Sequence, residues 1–378
     1  MTIIILLILA TISIQSLTNT GLFQKAQEAK EKTQNAEENQ AKTLNEYEDE
    51  LNKYISGDVK KPVKKVSDNI GSVLSTTDNT ELEDAYGNKI VVPAGFKIVS
   101  DSTTNNAQTV NQGIVIEDAT KTAEGTETST SGSQFVWIPV GKIYTDVAKT
   151  DANAKTIELN RYTFDSNGKP TAQGEKVIET YYSETASKGN TVAKDINAFK
   201  TSVATNGGYY IGRYEARTTT KRTAEGNALT QITEKGTDQI YNYVKQSQAA
   251  KLSQEMYNSN KFTSDLMNSY ARDTATVFLQ TCGTNSKYSR QNSVNTTLSQ
   301  TGTNTQSTKD VQCNVYDMAS NVYEWNTETS NDSSSPCVNR GGGYKHSYNY
   351  TSIRFNHATA DSYDDYGFRP LLYVGLNS

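Results

Sequence analysis

Apolar residues are concentrated in one run near the start of the chain, and a long polar run follows it. Residues 3–14 (IIILLILATISI) are almost entirely apolar, but the run is shorter than the roughly 18 to 20 residues that cross a membrane. The basic residues typical of a secretory signal do not precede it. We predict a hydrophobic membrane-anchor segment over residues 1–20, with the apolar core of a signal peptide as the alternative.

The polar run that follows consists of strong helix formers. Opposite charges recur three or four residues apart, for example at Lys25, Glu28 and Lys32, which is typical of a solvent-exposed helix. We therefore predict a charged helical stalk over residues 21–56. Residues 57–88 are rich in Gly, Pro, Lys, Ser, Thr and Asp, a composition that predicts a linker.

Short β-branched and aromatic runs, bounded by glycine, proline or polar residues, begin at Lys89. Such runs predict strands, which we place within residues 89–99, 113–118, 134–143 and 207–215. One folded domain over residues 89–378 would contain them all.

Two helices are predicted after these strands, at residues 243–257 and 263–280. In the second, apolar or small residues recur every four positions, so that one face packs on a core. These residues are Leu266, Tyr270, Thr274 and Phe278.

Composition and charge narrow the possible functions. The 378 residues carry a net charge of -5 with a pI of about 5.4, and no sustained basic stripe is present to neutralise phosphates, so nucleic acid is not expected as a partner. Tyr, Asn, Thr and Ser are abundant. Such a chain builds a polar surface with many hydrogen-bonding aromatic rings, as binding surfaces often have.

Three cysteines, Cys282, Cys313 and Cys337, are not in CxxC spacing. One disulfide with one free thiol and three buried thiols are both compatible with the sequence. No metal-thiolate site follows from these positions.

Several motifs after the strands resemble one protein family. YDMASNVYEW (316–325), NRGGGY (339–344) and GFRP (367–370), preceded by FVWIPVG (135–141) and GGYYIGRYEA (207–216), resemble the formylglycine-generating enzyme/sulfatase-modifying-factor domain in the same order. The resemblance implies an α+β, C-type-lectin-like fold for residues 89–378, preceded by the long N-terminal helix. It also implies that the glycines are scaffold and that Arg340 and Arg369 are buried and paired.

The enzymes of the family that the chain resembles share two reactive cysteines upstream of Gly-Phe-Arg. Counting back from Gly367 places those positions at His346 and Thr351, and neither is a cysteine. Without a cysteine at either position, the chain lacks there the thiolates that would bind copper and attack a substrate. We therefore expect no copper and no enzymatic activity.

The same resemblance implies a structural calcium site. Its ligands correspond to the side chains of Asp317 and Glu324 and the carbonyls of Ser320 and Val322, and hard oxygen ligands of this kind suit Ca²⁺. The alternative is that both carboxylates accept hydrogen bonds from loop amides.

Diversity-generating-retroelement variable proteins use this lectin-like domain, and the chain resembles them in residues 338–374. In these proteins, adenine-directed mutagenesis of asparagine codons yields Tyr, His, Asp, Ser and Thr, which is the mixture of residues found before GFRP. A surface of tyrosines with serines and asparagines is also well suited to contacting a ligand. Biased codon usage is the alternative origin. The predicted ligand-binding residues are Tyr344, His346, Ser347, Tyr348, Asn349, Tyr350, Ser352, Asn356, His357, Thr359, Asp361, Ser362, Tyr363, Asp364, Asp365 and Tyr366.

The apolar run and the charged helix together resemble the N-terminal stalk of type IV pilin-like proteins of Gram-positive bacteria. The chain departs from them at Ile5, where they have glutamate, and in lacking a leader with its cleavage-site glycine. We predict a non-catalytic ligand-binding protein at the surface of a Gram-positive bacterium or displayed by its phage, membrane-anchored or pilus-like, with a protein or glycan ligand. A formylglycine-generating-type oxidase and a pilin-like structural subunit are the alternatives.

Overall fold

The computed structural model describes residues 21–55, 64–99, 109–174, 182–183, 194–294, 296–299 and 310–375. The chain divides into two compact units, Met1–Val63 and Lys64–Ser378. In the first unit the described part is the helix Gly21–Ile55, and the predicted anchor over residues 1–20 lies outside the described residues. None of the helices in the described part is long and apolar enough to cross a membrane.

The second unit is built on an antiparallel sheet of six strands. In spatial order they are Phe262–Leu266, Pro370–Val374, Gly208–Gly212, Gln134–Pro139, Val115–Asp118 and Phe96–Ile98. Every residue of the inner strand Gly208–Gly212 is buried. On its neighbour, the ring of Trp137 packs edge to face on Tyr210 with centroids 4.9 Å apart, so the core lies against this sheet.

A second, five-stranded sheet contains most of the carboxyl-terminal part of the chain. Its long strand Tyr323–Ser330 is antiparallel to Tyr182–Ser183 and Cys337–Arg340 and parallel to Tyr366–Phe368. The strand Arg354–His357 pairs with Cys337–Arg340 at the edge. This sheet therefore brings both ends of the predicted binding segment beside Tyr323.

The remaining strands form small sheets. Lys64–Lys65, Thr80–Glu83 and Lys89–Val92 make a three-stranded sheet. Four strand pairs are Gly141–Tyr144 with Ala154–Ile157, Tyr162–Phe164 with Pro170–Ala172, Arg217–Thr218 with Gln239–Ile240, and Val311–Gln312 with Val315–Tyr316. Short 3-10 turns lie at Ser67–Asn69, Val110–Gln112, Asp151–Asn153 and Tyr288–Arg290.

Three helices pack within the second unit: Ile196–Asn206, Gln246–Met256 and Ser269–Cys282. In the last, residues 269–280 are all buried, which explains why its polar residues Arg272 and Asp273 need charged partners. The fold is α+β, with sheet predominating over helix.

Most of the strand predictions are confirmed, but the helix predicted at residues 263–280 begins too early. Phe262–Leu266 is a strand because it pairs along its whole length with Pro370–Val374. The helix starts only after Asn268, whose side chain accepts a hydrogen bond from the amide of Ala271 at 2.9 Å, the usual role of an N-cap.

Two further differences from the predictions concern elements of the second unit. Residues 64–88, within the predicted linker, contain two strands, and Val66 and Leu82 are fully buried. The helix Ile196–Asn206 was not predicted. Its signals are Asp195, which caps its first amides, and Gly207, whose φ of 74° ends it.

Candidate ligand-binding site

Buried ion pairs hold both ends of the predicted binding segment. The Arg340 guanidinium donates to Asp273 at 2.6 Å and to Glu328 at 3.3 Å, and that of Arg369 donates to Glu324 at 2.6 and 2.9 Å. Both arginines have no exposed surface, so the prediction that they are buried and paired is confirmed. Because breaking such a pair leaves an uncompensated charge, these ends are fixed.

The glycine triplet lets the backbone approach the second sheet closely. Gly341 has a φ of 81°, a left-handed conformation that favours glycine. A Cβ atom on Gly343 would lie 2.8 Å from the ring of Tyr323. The Tyr323 ring therefore occupies the space that a side chain at position 343 would need.

Between the fixed ends, the segment folds back on itself. The amide of His346 donates to the carbonyl of Gly343 at 3.1 Å, and the hydroxyl of Tyr344 donates to Asp364 at 2.7 Å. Lys345 forms an ion pair with the same carboxylate. Burial opposes ionisation of Asp364, but the donors on Lys345 and Tyr344 outweigh it and hold the Asp364 pKa below its usual range. The start and the end of the segment are thus joined.

A cavity of about 370 Å³, which we name the tyrosine pocket, opens within this segment. Its size is that of sites for small molecules or for single side chains and sugar rings. It is lined by Tyr323, Lys345, His346, Tyr348, Asn349, Phe355, His357, Tyr363, Asp365 and Tyr366.

A second cavity of about 170 Å³, which we name the arginine pocket, lies beside the same segment. It is lined by Thr163, Phe164, Tyr182, Arg290, Tyr350, Ser352, Ile353 and Arg354. The edge strand Arg354–His357 contributes to both cavities, because successive side chains of a strand point to opposite faces.

This alternation places each side chain of the edge strand on the side of one pocket or of the other. Phe355 and His357 line the tyrosine pocket, and Arg354 lines the arginine pocket. Asn356 is on the arginine-pocket side, where its side-chain oxygen accepts from the Tyr182 hydroxyl at 3.1 Å. One strand thus divides the segment between two cavities.

The floor of the tyrosine pocket is a cluster of packed rings. The Tyr366 ring lies 5.3 Å from Trp325, 4.8 Å from His357 and 4.9 Å from Tyr363, measured between centroids. At the rim, the side chains of Tyr348 and Tyr363 are 69% and 50% exposed. Exposed tyrosines supported by buried rings offer a large contact area with little loss of side-chain entropy.

Polar groups in the tyrosine pocket have altered proton affinities. Burial raises the pKa of Asp365, although nearby Lys345 opposes the shift. Burial lowers the pKa of the His357 imidazole against the effect of Asp361, whose carboxylate lies 3.4 Å away. The Tyr366 hydroxyl lies 3.1 Å from Nδ1 of His357. The pocket therefore offers hydrogen-bonding groups at the edges of its rings.

The sixteen residues predicted to bind ligand fall into three groups. Seven line the tyrosine pocket: His346, Tyr348, Asn349, His357, Tyr363, Asp365 and Tyr366. Two line the arginine pocket: Tyr350 and Ser352. The others line neither of these two cavities: Tyr344, Ser347, Asn356, Thr359, Asp361, Ser362 and Asp364.

Sequence reasoning missed several pocket residues. Tyr323 and Phe355 were missed although both are aromatic and lie within or beside the motifs used, and this was the available signal. Thr163 and Arg290 lie far from the segment in sequence and join it only through the fold. No local pattern identifies them.

The four residues of the predicted calcium site do not form a matching set of ligands. Both carboxylate oxygens of Glu324 are occupied, one by Arg272 and the other by Arg369. Ser320 and Val322 are buried on the turn before it. Among the residues that the structure describes, no group of three or more His, Cys, Asp or Glu could hold a metal ion.

Asp317, the fourth residue of that set, is 1% exposed, and its carboxylate accepts no hydrogen bond from any described residue. Burial, with nearby Glu215 adding to it, raises the Asp317 pKa well above its usual range. A protonated, neutral carboxyl group is the form that such a site tolerates. The oxygens of Asp317 thus have no hydrogen-bond partner among the described residues, whereas both oxygens of Glu324 are paired with arginines.

The cysteines are free thiols in the structure. Burial raises the pKa of Cys282 to about 11, and it also raises that of Cys313, which is the opposite of what a reactive thiolate needs. Thr351, at one of the positions where the enzymes have cysteine, is fully buried and donates its hydroxyl to the carbonyl of Tyr288 at 2.6 Å. The environment of these residues does not favour thiol chemistry.

The second unit combines an α+β fold with an aromatic pocket built by loops and an edge strand, an arrangement found in binding proteins. No protein-family model matches the chain, and no curated protein matches it in sequence. Among solved structures, the chain is similar to Treponema denticola variable protein 1, with a TM-score of 0.35 and 13% identity over 65% of this chain and 97% of that one.

Proposed function

We propose that the chain is a non-catalytic, surface-displayed protein that binds its ligand in the tyrosine pocket. The observation that carries this proposal is the separation of two sets of residues. Arg340 and Arg369 fix the segment from below, while Tyr348 and Tyr363 extend to solvent at the rim. A rigid frame beneath exposed tyrosines is the arrangement that gives a contact surface its affinity.

The pocket chemistry suggests the kind of ligand. Packed rings below a rim of two tyrosines would stack on a sugar ring or an apolar side chain. His357 and Asp365 would accept or donate hydrogen bonds at the edge of that group. The ligand is thus a glycan or a protein that presents one ring or side chain.

Several finer points belong to the same proposal. The second unit would be a C-type-lectin-like domain, and the chain a variable protein of a diversity-generating retroelement. Residues 1–20 would attach it to a membrane or pilus at the surface of a Gram-positive bacterium or its phage. The helix Gly21–Ile55 would serve as its stalk. A structural calcium ion would require ligands other than Glu324.

The proposal is tested by ligand selection followed by substitution. A displayed random peptide library and a glycan array are screened with the wild-type protein, and each ligand found is titrated against the double variant Tyr348→Ala, Tyr363→Ala. We expect binding to weaken by roughly a hundredfold, because the loss of two tyrosine contacts at about 1.4 kcal/mol each weakens binding about tenfold for each. Val147→Ala is the control, since that side chain is 76% exposed and lines neither pocket.

Unchanged binding by the double variant, with an unchanged melting temperature, would refute the tyrosine pocket as the site. Diversification is tested separately in the genome. A variable protein requires a near-copy of the coding segment for residues 338–374 that differs at adenines, next to a reverse transcriptase gene. Its absence would leave the binding proposal intact and remove the retroelement from it.

A further inference from the structure

The arginine pocket lies on a buried network of arginines and acids. Glu328 pairs with Arg161 at 3.0 Å, Arg340 at 3.3 Å and Arg354 at 3.0 Å. Asp273 pairs with Arg340 and Arg354, each at 2.6 Å. Three guanidinium groups thus pair with two carboxylates in this network. Arg354 brings this network to the pocket wall, where its side chain is 8% exposed.

Arg290 is a second cation in the wall of this pocket. Its guanidinium lies 4.3 Å from the centroid of the Tyr350 ring, within the range of a cation–π contact. Within the described part of the chain, no carboxylate lies within ion-pair distance of Arg290, and its side chain makes no hydrogen bond. Arg290 is therefore held in place without being neutralised.

The acid most affected by Arg290 does not cancel its charge. The carboxylate of Asp165 is exposed and accepts hydrogen bonds from the amides of Asn167 and Lys169 in its own turn, at 2.8 and 2.9 Å. These amides, more than Arg290, keep its pKa below the usual range. Arg290 thus keeps its capacity to pair with an incoming anion.

The rest of the pocket wall suits a small polar group. Ser352 presents a hydroxyl that has no hydrogen-bond partner among the residues described, and Ile353 and Phe164 close the apolar side. A hydroxyl beside a guanidinium is a common environment for an oxyanion, because both can donate to it. The apolar wall reduces competition from water.

We propose that the arginine pocket is a second binding site, which takes an oxyanion: a carboxylate, sulfate or phosphate group. Arg290 binds it through the N–H fork of its guanidinium, Ser352 donates a hydroxyl, and Arg354 lies in the same pocket wall. This site is independent of the tyrosine pocket and holds whether or not a ligand binds there. Because the chain as a whole is acidic and would repel anions, binding at this site depends on the local arrangement of Arg290 and Ser352.

The test uses the full-length protein and inorganic or simple organic anions. Acetate, sulfate and phosphate are titrated separately at constant ionic strength, with chloride as the reference, while the arginine Nε–H signals are followed by NMR. The signal that disappears in Arg290→Gln is that of Arg290. We expect it to shift saturably with at least one oxyanion, and the anion that binds best distinguishes a carboxylate source from a sulfate or phosphate source.

Matched variants make the result specific. Lys287→Gln removes the same charge from the same turn but lies outside the pocket, so its affinity should equal that of the wild type. Arg290→Gln, followed through the backbone amide signals of Tyr350 and Ser352, should weaken binding at least about tenfold. Tyr350→Ala, which removes the ring beneath the guanidinium, provides a second loss-of-binding variant if Arg290→Gln folds poorly. A wild-type signal that does not saturate, or equal weakening by Lys287→Gln, would overturn the proposal.

Discussion

The tyrosine pocket and the arginine pocket share one edge strand, yet they differ in charge and in supporting contacts. In the tyrosine pocket, Lys345 is paired with Asp364 at the surface, and the floor is made of rings. In the arginine pocket, Arg290 has no carboxylate partner among the described residues, and Arg354 belongs to a buried network of arginines and acids. The difference shows that neighbouring residues in sequence supply two unlike chemistries once a strand separates them.

Breaking the charge network beneath the arginine pocket should have the largest effect. Glu328→Gln would remove the carboxylate that pairs with Arg161, Arg340 and Arg354, and we expect the free energy of unfolding to fall by about 3 to 5 kcal/mol, as for other broken buried pairs. Urea denaturation measures this change. Glu81→Gln, in the exposed pair with Lys89, should change stability by less than about 1 kcal/mol. Equal effects would contradict the structural role of the network.

Gly343→Ala should damage the tyrosine pocket alone. The new methyl group would meet the Tyr323 ring at 2.8 Å, and since that ring is buried among others, we expect a loss of about 1 to 3 kcal/mol and a changed pocket. Gly226→Ala is the control because nothing lies within 4 Å of its Cβ position. Oxyanion binding at Arg290 should survive in both variants. Its loss in Gly343→Ala would mean that the pockets are coupled.

Acid should also distinguish the pockets, because a histidine can take up a proton as the pH falls and an arginine is already charged. Burial lowers the pKa of His357 in the folded chain, so the unfolded chain takes up the proton first as pH falls. Stability contributed by the neutral imidazole is present above its ordinary pKa of about 6.5 and is lost as pH falls through the lower folded value. Between pH 7 and 5, the wild type should lose up to about 1 kcal/mol more than His357→Gln in urea titrations. Parallel pH profiles would contradict this.

Calcium should have the smallest effect, because its predicted residues lie outside both pockets. With the Glu324 oxygens occupied by Arg272 and Arg369, we expect equal melting temperatures in calcium and in EDTA. A clear rise in calcium would support the predicted site and require Glu324 to leave its arginines. Asp317→Asn would then abolish that rise.

The sequence predicted the features that depend on local pattern. Short β-branched runs marked four strands of the six-stranded sheet, and the family resemblance of the flanking motifs implied the paired arginines Arg340 and Arg369. It failed where a distant partner decides the structure. Phe262–Leu266 reads as part of a helix until Pro370–Val374 pairs with it.

The candidate site was predictable to the same extent. A polar aromatic segment between fixed ends indicated a surface, and seven of the sixteen predicted ligand-binding residues do line one cavity. The division into two pockets was not predictable, because it depends on Arg290 and Thr163, which join the segment only in the folded chain. The calcium prediction relied on Glu324 without accounting for the two arginines that approach it.

The alternation along Arg354–His357 limits how the segment can evolve. A substitution at Phe355 or His357 alters one pocket, and a substitution at Arg354 or Asn356 alters the other side, so each can change separately. An inserted or deleted residue within the strand would shift its register by one position and send every side chain to the opposite face. Arg354 would then leave Asp273 and Glu328. The segment should therefore tolerate many changes of residue and almost none of length.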